Sequence, residues 1–263
     1  MSTALYISMI LTVISLIFTI LTYLGVVRYC KIKYGDNCKC VSESYLKLPR
    51  VESKNKVVVS MYTEQKDISN NTTLKSILDQ TVHPDQIIIV TDKDTVIPDF
   101  LKKDSIVLKQ SAGSLGKTAA FLTPLQTQKN AGTKIIIVTD GVVYGADFIE
   151  TMVEESDKNP DAVIFVEGYN SKKYVSGVVD KTNSDIINIP AGVLIQPCFF
   201  KQYVDPGKSK VLSNSPNAVL SALIAKNNVA IKSINYRETF HSGHVFSRDE
   251  KLAIEYFAEY YKL

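Results

Sequence analysis

The chain has 263 residues, of which 45% are hydrophobic and 22% charged, so it can bury one sizeable core. Its net charge is only +3 and its basic residues follow no periodic face, so nothing in the composition indicates a nucleic-acid partner. The four cysteines form no CxxC pair matched by a second, distant pair, which argues against a structural zinc site.

The first predicted element is a transmembrane helix at residues 4–27, within a membrane segment 1–27. This run carries no charged side chain, and about 20 apolar residues suffice to span a bilayer. It lacks the positive start, short apolar core and cleavage site of a signal peptide; a buried core helix is the alternative. Basic residues follow the run and none precedes it, which predicts a single-pass anchor with a cytoplasmic domain.

Residues 28–55 are predicted to form a juxtamembrane stalk, because Lys, Gly, Asn, Ser and Pro are mixed there without apolar periodicity. One domain, residues 56–263, follows the stalk. Two N-glycosylation sequons begin at Asn70 and Asn71. They would matter only if the domain were luminal, and motifs this short often arise by chance.

The first half of the domain alternates between strand and helix patterns. The predicted strands are 57–60, 86–91, 105–109 and 134–139, and the predicted helices are 71–79, 117–129 and 146–155. This alternation predicts a mainly parallel sheet flanked by helices. Ligands of such sheets bind beyond the carboxyl ends of the strands, so Asp92 and Asp140 are expected at the binding edge.

The second half of the domain is less regular. Strands are predicted at 162–166, 174–179, 186–195 and 229–234, and helices at 217–226 and 249–261. These elements predict a mixed sheet that completes the same domain.

Residues 111–118 differ from a Walker A phosphate loop at one position, because Ser111 stands where the first glycine is required. Residues 135–140 would supply a Walker B strand, so a P-loop NTPase is one alternative. A phosphate loop should follow the first strand of its sheet, whereas two strand–helix units come earlier here. The pattern therefore favours another kind of nucleotide-binding fold.

Residues 56–92 resemble the opening of family 2 glycosyltransferases, which are nucleotide-diphospho-sugar transferases of the GT-A fold. The residues that carry this resemblance are Leu78, Gln80, Thr81, Pro84 and Asp92. It continues through residues 116–120, similar to a Gly-Lys-x-x-Ala segment, and through 135–148, similar to the strand with the DxD motif. The resemblance implies a GT-A-like, mixed and mainly parallel sheet. It also implies a hexosyltransferase-type enzyme that moves sugar from a nucleotide-sugar donor to a glycan, lipid or protein acceptor.

The resemblance places Asp140 at the DxD position, where GT-A enzymes hold a divalent cation, Mn²⁺ or Mg²⁺, against the donor diphosphate. Asp140 is the only carboxylate there, so the metal site is weakened. Gly116 and Lys117 are expected at the phosphates, since a helix N-terminus favours anions. His241 and His244 are candidate metal ligands, because a late histidine completes the metal shell in some relatives.

The nucleoside is expected near Tyr62, Glu64 and Asp92, with Tyr62 stacking on the base and the acids accepting hydrogen bonds from base or ribose. Gly192 and Asn217 are expected on the acceptor side.

Asn217 stands at the position of the general base of inverting enzymes. An amide does not accept a proton at neutral pH. Glu167, Asp180 or Asp185 would have to replace it. Otherwise the chain is a catalytically inactive GT-A-like binding domain tethered to a membrane.

Overall fold

A seven-stranded sheet with helices on both faces forms the fold. The computed structural model describes residues 15–16, 55–69, 71–91, 94–95, 98–99, 102, 105–111, 114–176, 183–203, 205–236, 239–240 and 248–257. The described strands are β1 (Val57–Tyr62), β2 (Gln86–Thr91), β3 (Ile106–Gln110), β4 (Lys134–Thr139), β5 (Val143–Tyr144), β6 (Ala162–Phe165), β7 (Gly168–Tyr169), β8 (Ile186–Ile187), β9 (Val193–Ile195), β10 (Ala230–Ser233) and β11 (Thr239–Phe240). The described α-helices are α1 (Thr72–Leu78), α2 (Ala119–Thr127), α3 (Phe148–Lys158), α4 (Ser171–Val175), α5 (Lys210–Ser213), α6 (Pro216–Lys226) and α7 (Arg248–Tyr256).

The order of strands in the large sheet is β10-β6-β9-β4-β1-β2-β3. All neighbours pair in parallel except β9, which runs antiparallel to both β4 and β6. Two small antiparallel pairs, β5 with β11 and β7 with β8, lie beside it. The predicted mixed, mainly parallel sheet with flanking helices is therefore confirmed.

The central strands are rich in Val and Ile because both of their faces are covered. Alternate residues of β1 and β4 point into two separate cores. Val58 and Ile135 pack with α2, α6 and α7 on one face, while Val59 and Ile136 pack with α1 and α3 on the other.

The Gln80-Thr81 segment of the family resemblance joins α1 to the start of α3. The side-chain nitrogen of Gln80 donates to the carbonyl oxygens of Ser76 at 2.9 Å and Gly145 at 2.6 Å. Its amide oxygen accepts from the backbone nitrogen of Ile149 at 2.9 Å. Gln80 therefore holds the segment between β4 and α3 in place.

Two predicted strands in the second half of the domain are wrong. The described part of 174–179 belongs to helix α4, since the Asn170 side chain caps its start and the Asp185 carboxylate accepts a hydrogen bond from the Ser171 backbone nitrogen at 2.6 Å. The predicted strand 186–195 is interrupted by a 3-10 turn, Ile189–Ala191, which contains Pro190. Proline cannot donate to a strand ladder.

The other helices and strands predicted within residues 56–263 are present in the described residues, with shifted ends in several cases, whereas the predicted stalk lies outside the described residues except for Asn55. Among the described residues no helix combines the length and apolar character needed to cross a bilayer. The predicted membrane segment lies outside the described residues except for Ser15 and Leu16, which are helical.

We expect Gln80→Ala to lower the free energy of unfolding by about 2 to 3 kcal/mol, because it leaves the buried backbone nitrogen of Ile149 without its partner and removes one of the two hydrogen bonds to the Gly145 carbonyl oxygen. Urea denaturation measures this change. Thr81→Ala is the matched control, since its hydroxyl makes an exposed bond to Glu150 and its loss should cost no more than about 1 kcal/mol. Equal losses in the two variants would contradict the proposed role of Gln80.

Candidate functional site

Asp140 follows β4 at the carboxyl edge of the sheet, and its carboxylate is held by three neutral side chains. The Thr63 hydroxyl donates to Oδ2 at 2.6 Å. The amide nitrogens of Asn71 and Gln65 donate to Oδ1 at 2.7 and 3.2 Å. Thr63 and Gln65 follow β1 and Asn71 precedes α1, so this half-buried carboxylate joins three segments of the chain.

Asn71 has two structural roles at once. Its side-chain oxygen accepts from the Leu74 backbone nitrogen at 2.8 Å and caps α1, while its side-chain nitrogen binds Asp140. The residue is 1% exposed. The sequon at Asn71 is therefore a helix cap inside the fold, whereas Asn70 lies outside the described residues.

A cavity of about 260 Å³ opens beside Asp140. Its described lining consists of Tyr62, Glu64, Lys117, Ala120, Val138, Thr139, Asp140, Ile189 and Pro216. Four of the residues predicted from the sequence thus meet in one hollow, although they come from three separate segments. The described lining contains one cationic residue, Lys117, and two anionic residues, Glu64 and Asp140, together with the largely buried Tyr62.

The turn Gly116–Thr118 carries Lys117 to this cavity and leads directly into α2. Gly116 has a φ of +49°, and a Cβ there would lie 2.9 Å from the Ser213 carbonyl oxygen. Only glycine fits this close approach without strain. Gly116 is absent from the described lining of the cavity, so its evident role is to shape the turn.

The two residues predicted on the acceptor side are occupied with packing. Gly192 has a φ of +109°, and a Cβ there would lie 2.4 Å from Cζ of Phe148. Asn217 is 5% exposed, and its side-chain oxygen accepts from the Ile189 backbone nitrogen at 3.0 Å. Neither residue is among the described lining of the Asp140 cavity, although Pro216 beside Asn217 is.

The three acids considered as replacements for Asn217 have different surroundings. Asp185 caps α4 through the Ser171 backbone nitrogen and hydroxyl. Glu167 lines a second and larger cavity. Asp180 lies outside the described residues.

Tyr144 is a buried residue beside the site that the sequence did not reveal. Its hydroxyl accepts from the Thr139 backbone nitrogen at 3.0 Å and donates to the Pro190 carbonyl oxygen at 2.9 Å. Burial raises the pKa of this phenol well above its usual value, so the hydroxyl stays protonated. Tyr144 therefore ties the end of β4 to the turn Ile189–Ala191, and no local pattern indicates such a contact.

Glu250 is the second residue that the sequence did not reveal. It is 4% exposed and accepts a hydrogen bond from the Ala218 backbone nitrogen at 2.8 Å, at the start of α6. Burial raises the pKa of its carboxyl to about 7, against the opposing effect of hydrogen bonds from Ala218, Ser215 and Asn217 and of the charge on Lys117. A buried acid is thus hydrogen-bonded to the residue that follows Asn217, the predicted position of the general base.

Asp92, His241 and His244 lie outside the described residues. Their roles at the ribose and at a metal stay predictions. Within the described ranges no group of three or more His, Cys, Asp or Glu side chains is arranged to hold a metal ion.

No family model matches the chain. Over 112 residues the chain is 30% identical to a glucosyl-dolichyl phosphate glucuronosyltransferase of Haloferax volcanii. The aligned region covers 41% of this chain and 35% of that protein. A crystal structure of TarS from S. aureus is similar in fold, with a TM-score of 0.53 and 14% sequence identity. The superposed region covers 78% of this chain and 39% of the TarS chain.

A structure of TarS residues 1–349 in complex with UDP matches 78% of this chain and 65% of its own, with a TM-score of 0.51 and 14% identity. The chain therefore spans about a third to two thirds of the length of these proteins. TarS is a glycosyltransferase with a GT-A-like fold. The resemblance to family 2-like glycosyltransferases of the GT-A fold is thus confirmed at the level of fold, which favours it over a P-loop NTPase.

The raised pKa of Glu250 predicts a pH-dependent stability. The folded protein holds this proton up to a pH of about 7, whereas the unfolded chain releases it near its ordinary value of 4.5. The protonated form therefore contributes stability below pH 4.5 that is lost as the pH rises through 7. We expect the wild type to lose about 3 kcal/mol of unfolding free energy relative to Glu250→Gln between pH 4 and 8.

Urea denaturation at a series of pH values measures this difference. Glu255→Gln is the matched control, because Glu255 is exposed on the same helix and its variant should follow the wild type. Parallel pH profiles for the wild type and Glu250→Gln would show that the pKa of Glu250 is the same in the folded and unfolded states, which would contradict this prediction.

Proposed function

We propose that the chain is a membrane-anchored glycosyltransferase that takes a sugar from a nucleotide-sugar donor. One observation carries this proposal: Tyr62, Glu64, Lys117 and Asp140 line a single cavity at the carboxyl edge of a mainly parallel sheet. Such sheets bind their ligands at that edge. The fold likeness to TarS, which has been solved with UDP, supports the same assignment.

Each of the four side chains has a chemical task in this proposal. The ring of Tyr62 stacks on the base, and Glu64 accepts hydrogen bonds from base or ribose. Lys117 faces the diphosphate, where its ammonium group offsets the negative charge that grows as the sugar leaves. Asp140 would bind a divalent cation that also binds the diphosphate.

The cation would be held by one protein carboxylate. Asp140 has about four acceptor positions, and three are filled by Thr63, Gln65 and Asn71. One position left for a metal suits Mg²⁺ or Mn²⁺, which bind through one or two carboxylates when phosphates and water supply the other ligands. His241 and His244 are the proposed additional ligands. When bound, the cation would stabilise the leaving diphosphate.

A specific observation favours a second candidate, an inactive binding domain. The side-chain oxygen of Asn217 is engaged with the Ile189 backbone nitrogen, so the residue at the base position has a structural task. An amide there removes the proton acceptor of a standard inverting reaction. In this alternative the chain binds a nucleotide or nucleotide sugar without turning it over.

We further propose that residues 1–27 anchor the protein by a single membrane pass and that the domain faces the cytoplasm. The uncharged run 4–27 and the basic residues that follow it support this topology. Protease treatment of sealed vesicles whose cytoplasmic face points outward tests this topology. A cytoplasmic domain would be digested, whereas a domain on the opposite side would be protected.

Calorimetry with UDP, GDP, ADP and CDP tests nucleotide binding. We expect one nucleotide to bind in the presence of Mn²⁺, and expect Lys117→Ala and Asp140→Ala to weaken it about tenfold or more, as for the loss of a charged hydrogen-bond partner. Lys129→Ala and Asp161→Ala are charge-matched controls, since both residues are exposed and lie outside the described lining of the cavity. Binding that is unchanged in all four variants would contradict the site.

Hydrolysis of the matching nucleotide sugar then separates the two candidates. Slow, Mn²⁺-stimulated release of sugar that is lost in Asp140→Ala indicates an enzyme. Tight binding without release of sugar from any donor indicates the inactive binding domain.

A further inference from the structure

We propose that a second cavity at the same edge of the sheet binds a neutral glycosyl acceptor, and that Glu167 determines its specificity. This inference rests on the proposed glycosyltransferase function. It adds a binding site for the acceptor and a residue that selects for it.

The second cavity lies next to the nucleotide cavity. It has a volume of about 700 Å³ and lies beyond the carboxyl ends of β6 and β10, where it is lined by Glu167, Ala191 and residues 234–236. The turn Ile189–Ala191 separates the two hollows, since Ile189 lines the nucleotide cavity and Ala191 lines the larger one. A ligand in the second cavity would therefore lie beside a donor held at Asp140.

The carboxylate of Glu167 is held in place by its neighbours. Its Oε2 accepts from the side-chain nitrogen of Asn188 at 2.7 Å and from the Tyr169 hydroxyl at 3.1 Å. The Asn188 backbone nitrogen donates to the Glu167 carbonyl oxygen at 2.9 Å. Asn188 is 0% exposed, so a fully buried residue orients an acid at the wall of an open cavity.

Tyr236, an aromatic residue of the cavity lining, is also held in place by its neighbours. The Tyr236 hydroxyl donates to Oδ1 of Asp147 at 2.6 Å. Its ring packs edge to face on Phe148, with centroids 5.5 Å apart. An aromatic residue held in this way offers a rigid apolar surface next to polar groups.

The lining chemistry suits a sugar. Amide and hydroxyl side chains of Asn183, Ser184, Ser233 and Asn235 share the wall with Glu167 and Tyr236. These groups and a carboxylate form hydrogen bonds with alcohol hydroxyls, and a carboxylate oxygen accepts more than one such bond. The volume falls in the range of about 300 to 1,000 Å³ that is typical of small-molecule sites.

The charge of the described wall disfavours an anionic acceptor. Among the described lining residues Glu167 carries the one charge, and it is negative. A phosphate or uronate placed against it would be repelled, with no lysine or arginine of the described lining to compensate. The cavity therefore favours a neutral glycosyl group over a phosphorylated or acidic one.

The test measures sugar binding to the full chain by calorimetry. Maltose, cellobiose and lactose serve as neutral probes, and glucose 6-phosphate and glucuronic acid serve as anionic probes. We expect at least one neutral probe to bind, and expect both anionic probes to bind at least about tenfold more weakly, as for a repulsion of about 1.4 kcal/mol.

Glu167→Gln removes the charge but keeps the shape of the side chain. We expect it to weaken the neutral probe about tenfold, since a hydrogen bond to a charged group contributes about 1.5 to 3 kcal/mol. We also expect the substitution to reduce the difference in affinity between neutral and anionic probes. A merely structural role of Glu167 would not change this difference. Asp161→Asn is the control and should change neither affinity.

Nucleotide affinity measured on the same samples separates the two hypotheses. If the nucleotide binds but no neutral probe binds, or if the Glu167→Gln variant shows the same preference as the wild type, the acceptor assignment is overturned and the nucleotide site stands. If no nucleotide binds and the neutral probe still binds at Glu167, the glycosyltransferase proposal fails and the cavity is a sugar site of another kind.

Discussion

Burial of both faces of the central strands is the constraint on which the structure depends. Every residue of β1 is buried, and so is every residue of β4 except the last, so the faces of these strands are closed to a ligand. A ligand can reach the residues that follow the carboxyl ends of the strands. Asp140 occupies such a position. Its bonds to Thr63, Gln65 and Asn71 close the edge of the sheet, because they tie the ends of β4 and β1 to the start of α1.

The turn Ile189–Ala191 organises the region beyond this edge. The Tyr144 hydroxyl holds it through the Pro190 carbonyl, and Asn217 holds it through the Ile189 backbone nitrogen. One side of the turn faces the Asp140 cavity and the other side faces the larger cavity with Glu167. A donor and an acceptor could therefore be bound side by side. The side chain at position 217 therefore supports this turn.

Several sequence predictions were limited by the local nature of the patterns. Residues 186–195 look like one apolar strand, yet Pro190 and the positive φ of Gly192 divide it into two short strands and a turn. Residues 174–179 contain strand-forming side chains, but caps from Asn170 and Asp185 make their described part helical. In both cases a polar contact or a single backbone torsion outweighed the intrinsic preference of the neighbouring residues.

The amino-acid sequence by itself determined the parallel core and the position of Asp140. Runs of Val and Ile without Pro or Gly predict buried strands here, and the residue after such a strand lies at the edge of the sheet. It also indicated Tyr62, Glu64 and Lys117. Only the tertiary structure decided that these residues share one cavity, that Tyr144 holds the turn opposite Asp140, and that Glu250 is buried at the start of α6. Such contacts join residues that are far apart in the chain, and their energies depend on burial and direction. Neither quantity exists before the helices pack on the sheet.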